Sequence, residues 1–202
     1  LIRNENNIGL TRSLVKAIPY AKNELIARLD DDDYWHPDKI KLQLNEFTKN
    51  PQLVLIGTCY FIKRKNIVKK GNEVLTTNFR KILMKENPIV HSSAVFSKAI
   101  YFAAGGYDSK FKYSQDFDLW ERMSNLGKCK VLKIHLTYIT YKNRFNYSEF
   151  KKLIHQYTNS FKISSRVIKK EPGIKIILFI KLVSSLFFNF IKALLILVFS
   201  NN

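Results

Sequence analysis

Residues 30–33 are four aspartates in a row, and they follow directly on a short apolar run, Leu25-Ile26-Ala27-Arg28-Leu29. A run of that length ending in so much charge reads as a strand that runs out into a loop. Four carboxylates in one turn repel each other, and the arrangement is tolerable only where they are well solvated or share a cation. Open α/β sheets take their ligands at the carboxyl ends of strands. Hard divalent cations that keep waters and bridge to phosphates, such as Mg²⁺ or Mn²⁺, suit one or two carboxylates of this kind. A solvated acidic loop or a helix N-cap is the plainer alternative, since short acidic runs are common on surfaces.

The flanking pattern alternates helix and strand. Leu10, Leu14, Val15 and Ile18 recur at helical spacing over residues 10–21, with Pro19 near the end. Pro37 stands where a first helical residue belongs, and Ile40, Leu44 and Phe47 carry a helix to about residue 49. Residues 53–62 are apolar and β-branched and a polar turn follows at 63–73, which together predict a strand and an edge hairpin. A short helix over 76–85 and a short strand at 93–96 come next. Leu119, Trp120, Met123 and Leu126 share one face of a helix over 116–126, with Gly127 as its C-terminal cap. Two late strands, 130–134 and 137–141, precede a helical pattern that runs from residue 148 to the end. Strands alternating with helices imply an α/β layered sheet.

The chain has 202 residues, 46% of them hydrophobic, enough to bury a sizeable core without a disulfide or metal staple and too many for a disordered chain. Cys59 and Cys129 are far apart and form no CxxC pair, which argues against a zinc ribbon, a redox motif or a secreted disulfide scaffold and fits a reduced, intracellular setting. The sequence starts at Leu1 with none of the order of a signal peptide. There are 34 Lys and Arg against 16 Asp and Glu, a net charge of +18. About half of that charge falls between Lys142 and Lys192, where eleven basic residues face Glu149 and Glu171 alone.

Asn7-x-Gly9-Leu10, the run into Asp30-Asp31-Asp32-Asp33, and then Pro37 and Lys39 together resemble the middle of the family 2 glycosyltransferase domain. That family has the GT-A fold, a Rossmann-like α/β fold of nucleotide-sugar transferases. Its DxD motif matches Asp30-Asp31-Asp32. The resemblance implies that Asp30 approaches the nucleoside or ribose of the donor and that Asp32 ligates a divalent metal, Mn²⁺ or Mg²⁺, bound to the diphosphate. It counts Asp31 among the donor-binding residues and makes Asp33 a possible helper. Such a metal neutralises charge on the leaving group as the sugar–phosphate bond breaks.

Gly105-Gly106-Tyr107-Asp108 and Gln115-Asp116-Phe117-Asp118-Leu119-Trp120 resemble the family's later signature, an acidic residue at a helix start facing the acceptor. By that resemblance Asp116 is the general base that inverting transfer requires. Gln115 stands where the family often has Glu. Asp116 and Asp118 near a helix N-terminus also favour the helix dipole without any catalysis. Trp120 stands on the acceptor side of the signature, although the face it shares with Leu119 and Met123 reads as core. The segment from Asn87 to Ser93 resembles the family's acceptor-side segment, so His91 is an acceptor-side candidate against a structural role. Tyr141-Lys142 resembles the family's Tyr-Arg and makes Lys142 a donor-binding candidate; Asn143 and Arg144 stand where a His often follows.

The resemblance divides the chain into a partial catalytic domain, 1–145, and a basic helical tail, 146–202. It also implies that the opening strand–helix–strand unit of such a domain is absent before Leu1, which would leave a sheet edge open and raises the reading of an inactive remnant. In the tail, Lys181, Ser185, Asn189 and Lys192 share one face of a helix over 173–200, opposite Ile180, Phe187, Ile191, Leu194 and Val198. An amphipathic helix with a lysine face lies in a membrane interface, and the upstream basic residues add attraction to anionic lipid. A single span is one alternative, since about 20 apolar residues suffice and Lys192 is the main interruption; packing on the domain is the other. The expected protein is thus an inverting, metal-dependent sugar transferase. It takes a nucleotide-sugar donor and a glycan or lipid-linked acceptor at the cytoplasmic face of the plasma membrane, in cell-surface polysaccharide or glycolipid synthesis. A nucleic-acid partner is not expected, because the basic segment carries a greasy face and the acidic loop repels phosphates.

Overall fold

The structure, a computed structural model, describes residues 2–64, 67–71, 78–140 and 147–170, with only the backbone for 147–149. Lys142 and the amphipathic segment 173–200 lie outside the described residues.

Helix α1 spans Leu10–Ala17 and passes into a 3₁₀ turn at Ile18–Tyr20, where Pro19 cannot extend the α-helical hydrogen bonding. Strand β1 (Leu25–Ala27) leads through the acidic turn into β2 (Tyr34–Trp35), a two-residue strand with no signal in the apolar pattern. Helix α2 (Lys39–Lys49) follows. Its inner face carries a wholly buried lysine and glutamine, Lys39 and Gln43, beside the expected apolar stripe. Gln43 Nε2 donates to the carbonyls of Ile56 and Ser93, at 3.2 and 2.9 Å, and so stitches α2 to the sheet.

The long strand β3 (Leu53–Arg64) turns back into β4 (Ile67–Lys70). The edge hairpin expected there is formed: Ile67 and Val68 pair opposite Arg64 and Lys63, so part of the stretch expected as polar turn is strand. Helix α3 (Phe79–Leu83), a 3₁₀ turn at His91–Ser93, β5 (Val95–Ser97), α4 (Lys98–Ala103) and α5 (Gln115–Met123) come next. The two expected late strands are one, β6 (Lys128–Thr140). Irregularities opposite Thr58–Tyr60 absorb the extra residues as bulges instead of breaking the strand. Gly127 is no C-cap: α5 ends at Ser124, and a Cβ on Gly127 would meet Val54 Cγ1 at 2.2 Å, so the glycine lets the chain pass close to β3.

The sheet order is β1-β5-β3-β6-β2, with β4 also on β3; β3 and β6 run parallel and the other pairings are antiparallel. Among the described residues, β1 pairs on one side only, with β5. Strand β3 is buried over its first seven residues because helices cover both faces. Leu53 and Ile56 pack with Ile40 and Phe47 of α2, while Val54 and Leu55 join the larger cluster around Trp120, Leu83 and Phe96.

The last described helix, α6 (Tyr147–Lys169), adds Ile163 and Val167 to that larger cluster. The described part of the expected tail thus packs on the core of the domain. Two of the basic residues counted toward a lipid surface are engaged on the domain instead. Arg166 pairs with the buried carboxylates of Asp118 and Glu121, and Lys170 pairs with Glu121 at 2.9 Å. Among the described residues no helix is long and apolar enough to cross a membrane.

Candidate active site

The acidic turn is built as a bracket. The Asp33 amide donates to the Asp30 carbonyl at 3.2 Å, which closes the turn. The Asp30 amide donates to Ser92 Oγ at 3.0 Å, and that hydroxyl faces the carboxylates of both Asp30 and Asp33. Ser92 itself is fixed by its carbonyl, which accepts from Trp35 Nε1 at 2.6 Å. The Thr140 amide donates to Asp33 Oδ1 at 2.9 Å, and the Thr140 hydroxyl donates to the Asp32 carbonyl. The turn is therefore tied both to the segment before β5 and to the end of β6.

The four aspartates have different surroundings. Asp30 is ion-paired with Arg28, a side chain only 11% exposed. Asp31 is exposed to solvent, and Asp32 is half-buried. Burial raises the Asp33 carboxyl above the ordinary carboxylate range, outweighing the hydrogen bonds from Ser92 and Thr140 that lower it. Asp33, the expected helper, is held by protein groups.

Helix α5 brings the second carboxylate. Ser114 precedes it in the left-handed region, φ 61°, and places Gln115 and Asp116 in the first turn. Asn87 Nδ2 donates to Asp116 Oδ2 at 2.7 Å. His91 is buried, its Nε2 2.7 Å from the Tyr107 hydroxyl. Desolvation lowers the His91 pKa to about 4, against a raising pull from Asp116 and with a further lowering push from Arg28. The imidazole is therefore neutral at physiological pH, a hydrogen-bonding group and not a cation.

These residues share one cleft of about 900 Å³. Asp30, His91, Gln115 and Asp116 all line it, together with Gly9 and Thr11 from the start of α1 and Lys152 and Gln156 from α6. Thr11 Oγ1 donates to the Phe111 carbonyl at 2.8 Å, and Asn159 Nδ2 donates to the Tyr113 carbonyl at 2.9 Å, so both flanking helices are fastened to the segment that leads into α5. Of the four aspartates, Asp30 is the one that lines this cleft.

Trp120, one of the acceptor-side expectations, is fully buried and donates from Nε1 to the Ile89 carbonyl at 3.1 Å. No acceptor reaches it, and its core reading is the correct one. Three residues of the site carried no individual signal. Asn87 and Ser92 sit inside the quoted segment 87–93, but only the long-range pairings reveal their partners. Lys152 reaches the cleft through a helix read as tail.

Among the described residues no group of three or more His, Cys, Asp and Glu side chains could hold a metal ion by itself. The acidic turn offers hard carboxylate oxygens; Asp30 and Asp33 already have protein partners, and Asp32 has interactions of its own. That donor set fits a hard divalent cation drawing most of its ligands from a diphosphate and water, not one caged by protein alone.

Residues 1–104 match the family described as glycosyl transferase family 2. The chain is 27% identical over 177 residues to a hyaluronan synthase of Pasteurella multocida, covering 84% of this chain and 17% of that protein. It is 27% identical over 125 residues to the amylovoran biosynthesis glycosyltransferase AmsE of Erwinia amylovora, covering 61% and 47%. The chain thus spans less than half of the length of either relative. A mannosyltransferase from Pyrobaculum calidifontis, solved with GDP-Man and Mn²⁺, superposes with a TM-score of 0.56 at 15% identity over 80% of this chain and 46% of that one. The fold is accordingly of the GT-A type.

Proposed function

The chain belongs to glycosyl transferase family 2, and from that membership we propose that it moves a sugar from a nucleotide-diphosphate donor to an acceptor hydroxyl with inversion, in making a cell-surface polysaccharide or glycolipid. The observation that carries this reading is that Asp30 and Asp116, from distant parts of the chain, line one cleft with His91. Asp116 takes the proton of the acceptor hydroxyl as its oxygen attacks the anomeric carbon. The bond from that carbon to the diphosphate breaks on the opposite face, and the nucleoside diphosphate leaves. Asp30 holds the donor and Lys142 adds positive charge on the donor side; Asp32 would hold a divalent cation, which when bound would supply positive charge against that of the leaving diphosphate. His91, neutral, offers the acceptor or donor a hydrogen bond without competing for the proton.

Release of nucleoside diphosphate from a panel of UDP- and GDP-linked sugars, with Mn²⁺ and a mixture of hydroxyl acceptors, tests the reading. Turnover of at least one donor, lost on chelation of the metal, supports it; turnover that survives chelation contradicts the metal's part. The amphipathic pattern of residues 173–202 supports the further proposal that the protein works against the anionic inner face of the plasma membrane. Equal flotation on anionic liposomes with and without those residues would exclude that.

A further inference from the structure

We propose that Asn87 is the positioning residue of the Asp116 base: it holds Oδ2 and leaves Oδ1 to receive the acceptor proton. The inference rests on the reading of Asp116 as the base. Asn87 Nδ2 donates to Asp116 Oδ2 at 2.7 Å, and among the described residues Oδ1 has no hydrogen-bond partner.

The donor is aimed by its own backbone. Asn87 Oδ1 accepts from the Ile89 amide at 3.3 Å, an arrangement that turns the carbonyl end of the side chain inward and the NH₂ end toward Asp116. Pro88 fixes its own φ and restricts Asn87 to extended conformations, so the turn is stiff in the sequence itself. The turn is also pinned to the helix that carries the base. Asp116 and Trp120 lie at i and i+4 on α5, on one face; Asn87 reaches the first, and the Ile89 carbonyl accepts from Trp120 Nε1 at 3.1 Å. Two hydrogen bonds one helical turn apart thus hold residues 87–89 against α5, one in the core and one at the cleft.

A carboxylate held by one oxygen through a charge-assisted bond is confined to one orientation. For a base that must meet a hydroxyl in line with the breaking bond, a displacement of about 1 Å costs on the order of 100-fold in rate. Removing the Asn87 amide should therefore reduce kcat by roughly 10- to 100-fold and leave the donor KM unchanged.

Asn87→Ser is the informative variant, because its hydroxyl can still accept from the Ile89 amide while being too short to reach Asp116; Asn87→Ala removes both bonds. In the labelled full chain, three-bond couplings about χ1 of Asp116 should report a single rotamer in the wild type and averaging in Asn87→Ser, with the Trp120 indole N–H resonance unmoved. Unchanged couplings overturn the proposal. With the donor that turns over, Asn87→Ser should slow an Asp116→Asn background no further, whereas losses that multiply overturn it. If Asp116→Asn alone keeps full turnover, the assignment of the base fails, and the χ1 couplings still decide whether Asn87 orients that side chain.

Discussion

Asp33 Oδ1 accepts the Thr140 amide at 2.9 Å, so the last aspartate of the acidic turn fastens it to the end of β6. On the proposed reading its neighbours serve the donor, while Asp33 holds the turn in place. The sign of its titration follows from burial. The folded carboxyl protonates more readily than the unfolded one, so its contribution to stability is full below the unfolded value and is lost as pH rises through the folded one. At neutral pH the Asp33 charge is therefore a net cost, which its hydrogen bonds reduce only in part. Asp33→Asn keeps an acceptor for Thr140 and should match or exceed wild-type stability at pH 7. Asp33→Ala, which strands the Thr140 amide, should be about 1–3 kcal/mol less stable than Asp33→Asn in urea denaturation.

His91 acts in the opposite sense. With its pKa lowered to about 4, the unfolded chain binds the proton first between pH 6.5 and 4. Its contribution to stability is present above pH 6.5 and is lost as pH falls through that window, on the order of 3 kcal/mol in all. His91→Gln can keep a hydrogen bond to Tyr107 and does not titrate. The stability difference between the two proteins should change between pH 6.5 and 4 and stay constant from 7 to 8.

The clamp between α5 and α6 gives a third outcome. Asp118 and Glu121 are 1% exposed and are answered by Arg122, Arg166 and Lys170. Because Arg166 and Lys170 are partly solvent-exposed, screening reduces what each contributes. Removing both leaves two buried carboxylates short of cations, and the Arg166→Ala, Lys170→Ala double variant should lose about 1–3 kcal/mol. Hydrogen exchange should show amides of α6 losing protection before those of β3.

The acidic turn, α2 and α5 were legible because each is local: an apolar run meeting charge, or a 3.6-residue stripe. What the sequence concealed depends on distant partners. Strand β2 exists because Tyr34 and Trp35 pair with Tyr138 and Thr137, and Tyr34 stacks on Tyr138 at 4.4 Å. The gap read between two late strands is a set of bulges that only the pairing with β3 reveals. Lys39 and Gln43 lie outside the apolar stripe that predicted α2, yet both are buried, Lys39 Nζ lying 4.1 Å from the centroid of the Trp35 ring. Counting charge along residues 142–192 likewise concealed that Arg166 and Lys170 face buried acids and that Ile163 and Val167 belong to the core. At the site, the pairing of Asp30 with the start of α5 followed from the family resemblance, whereas Asn87, Ser92 and Lys152 emerged only from the fold.

The central claim is that Asp116 accepts the acceptor proton in a cleft whose donor side is the acidic turn. The direct measurement sets sugar transfer against calorimetric binding of the nucleoside diphosphate with Mn²⁺, in wild type, Asp116→Asn and Asp32→Ala. Asp116→Asn should leave only a small residual rate of transfer and bind the nucleotide as wild type does, while Asp32→Ala should lose metal-dependent affinity. Transfer at the wild-type rate by Asp116→Asn would contradict the account.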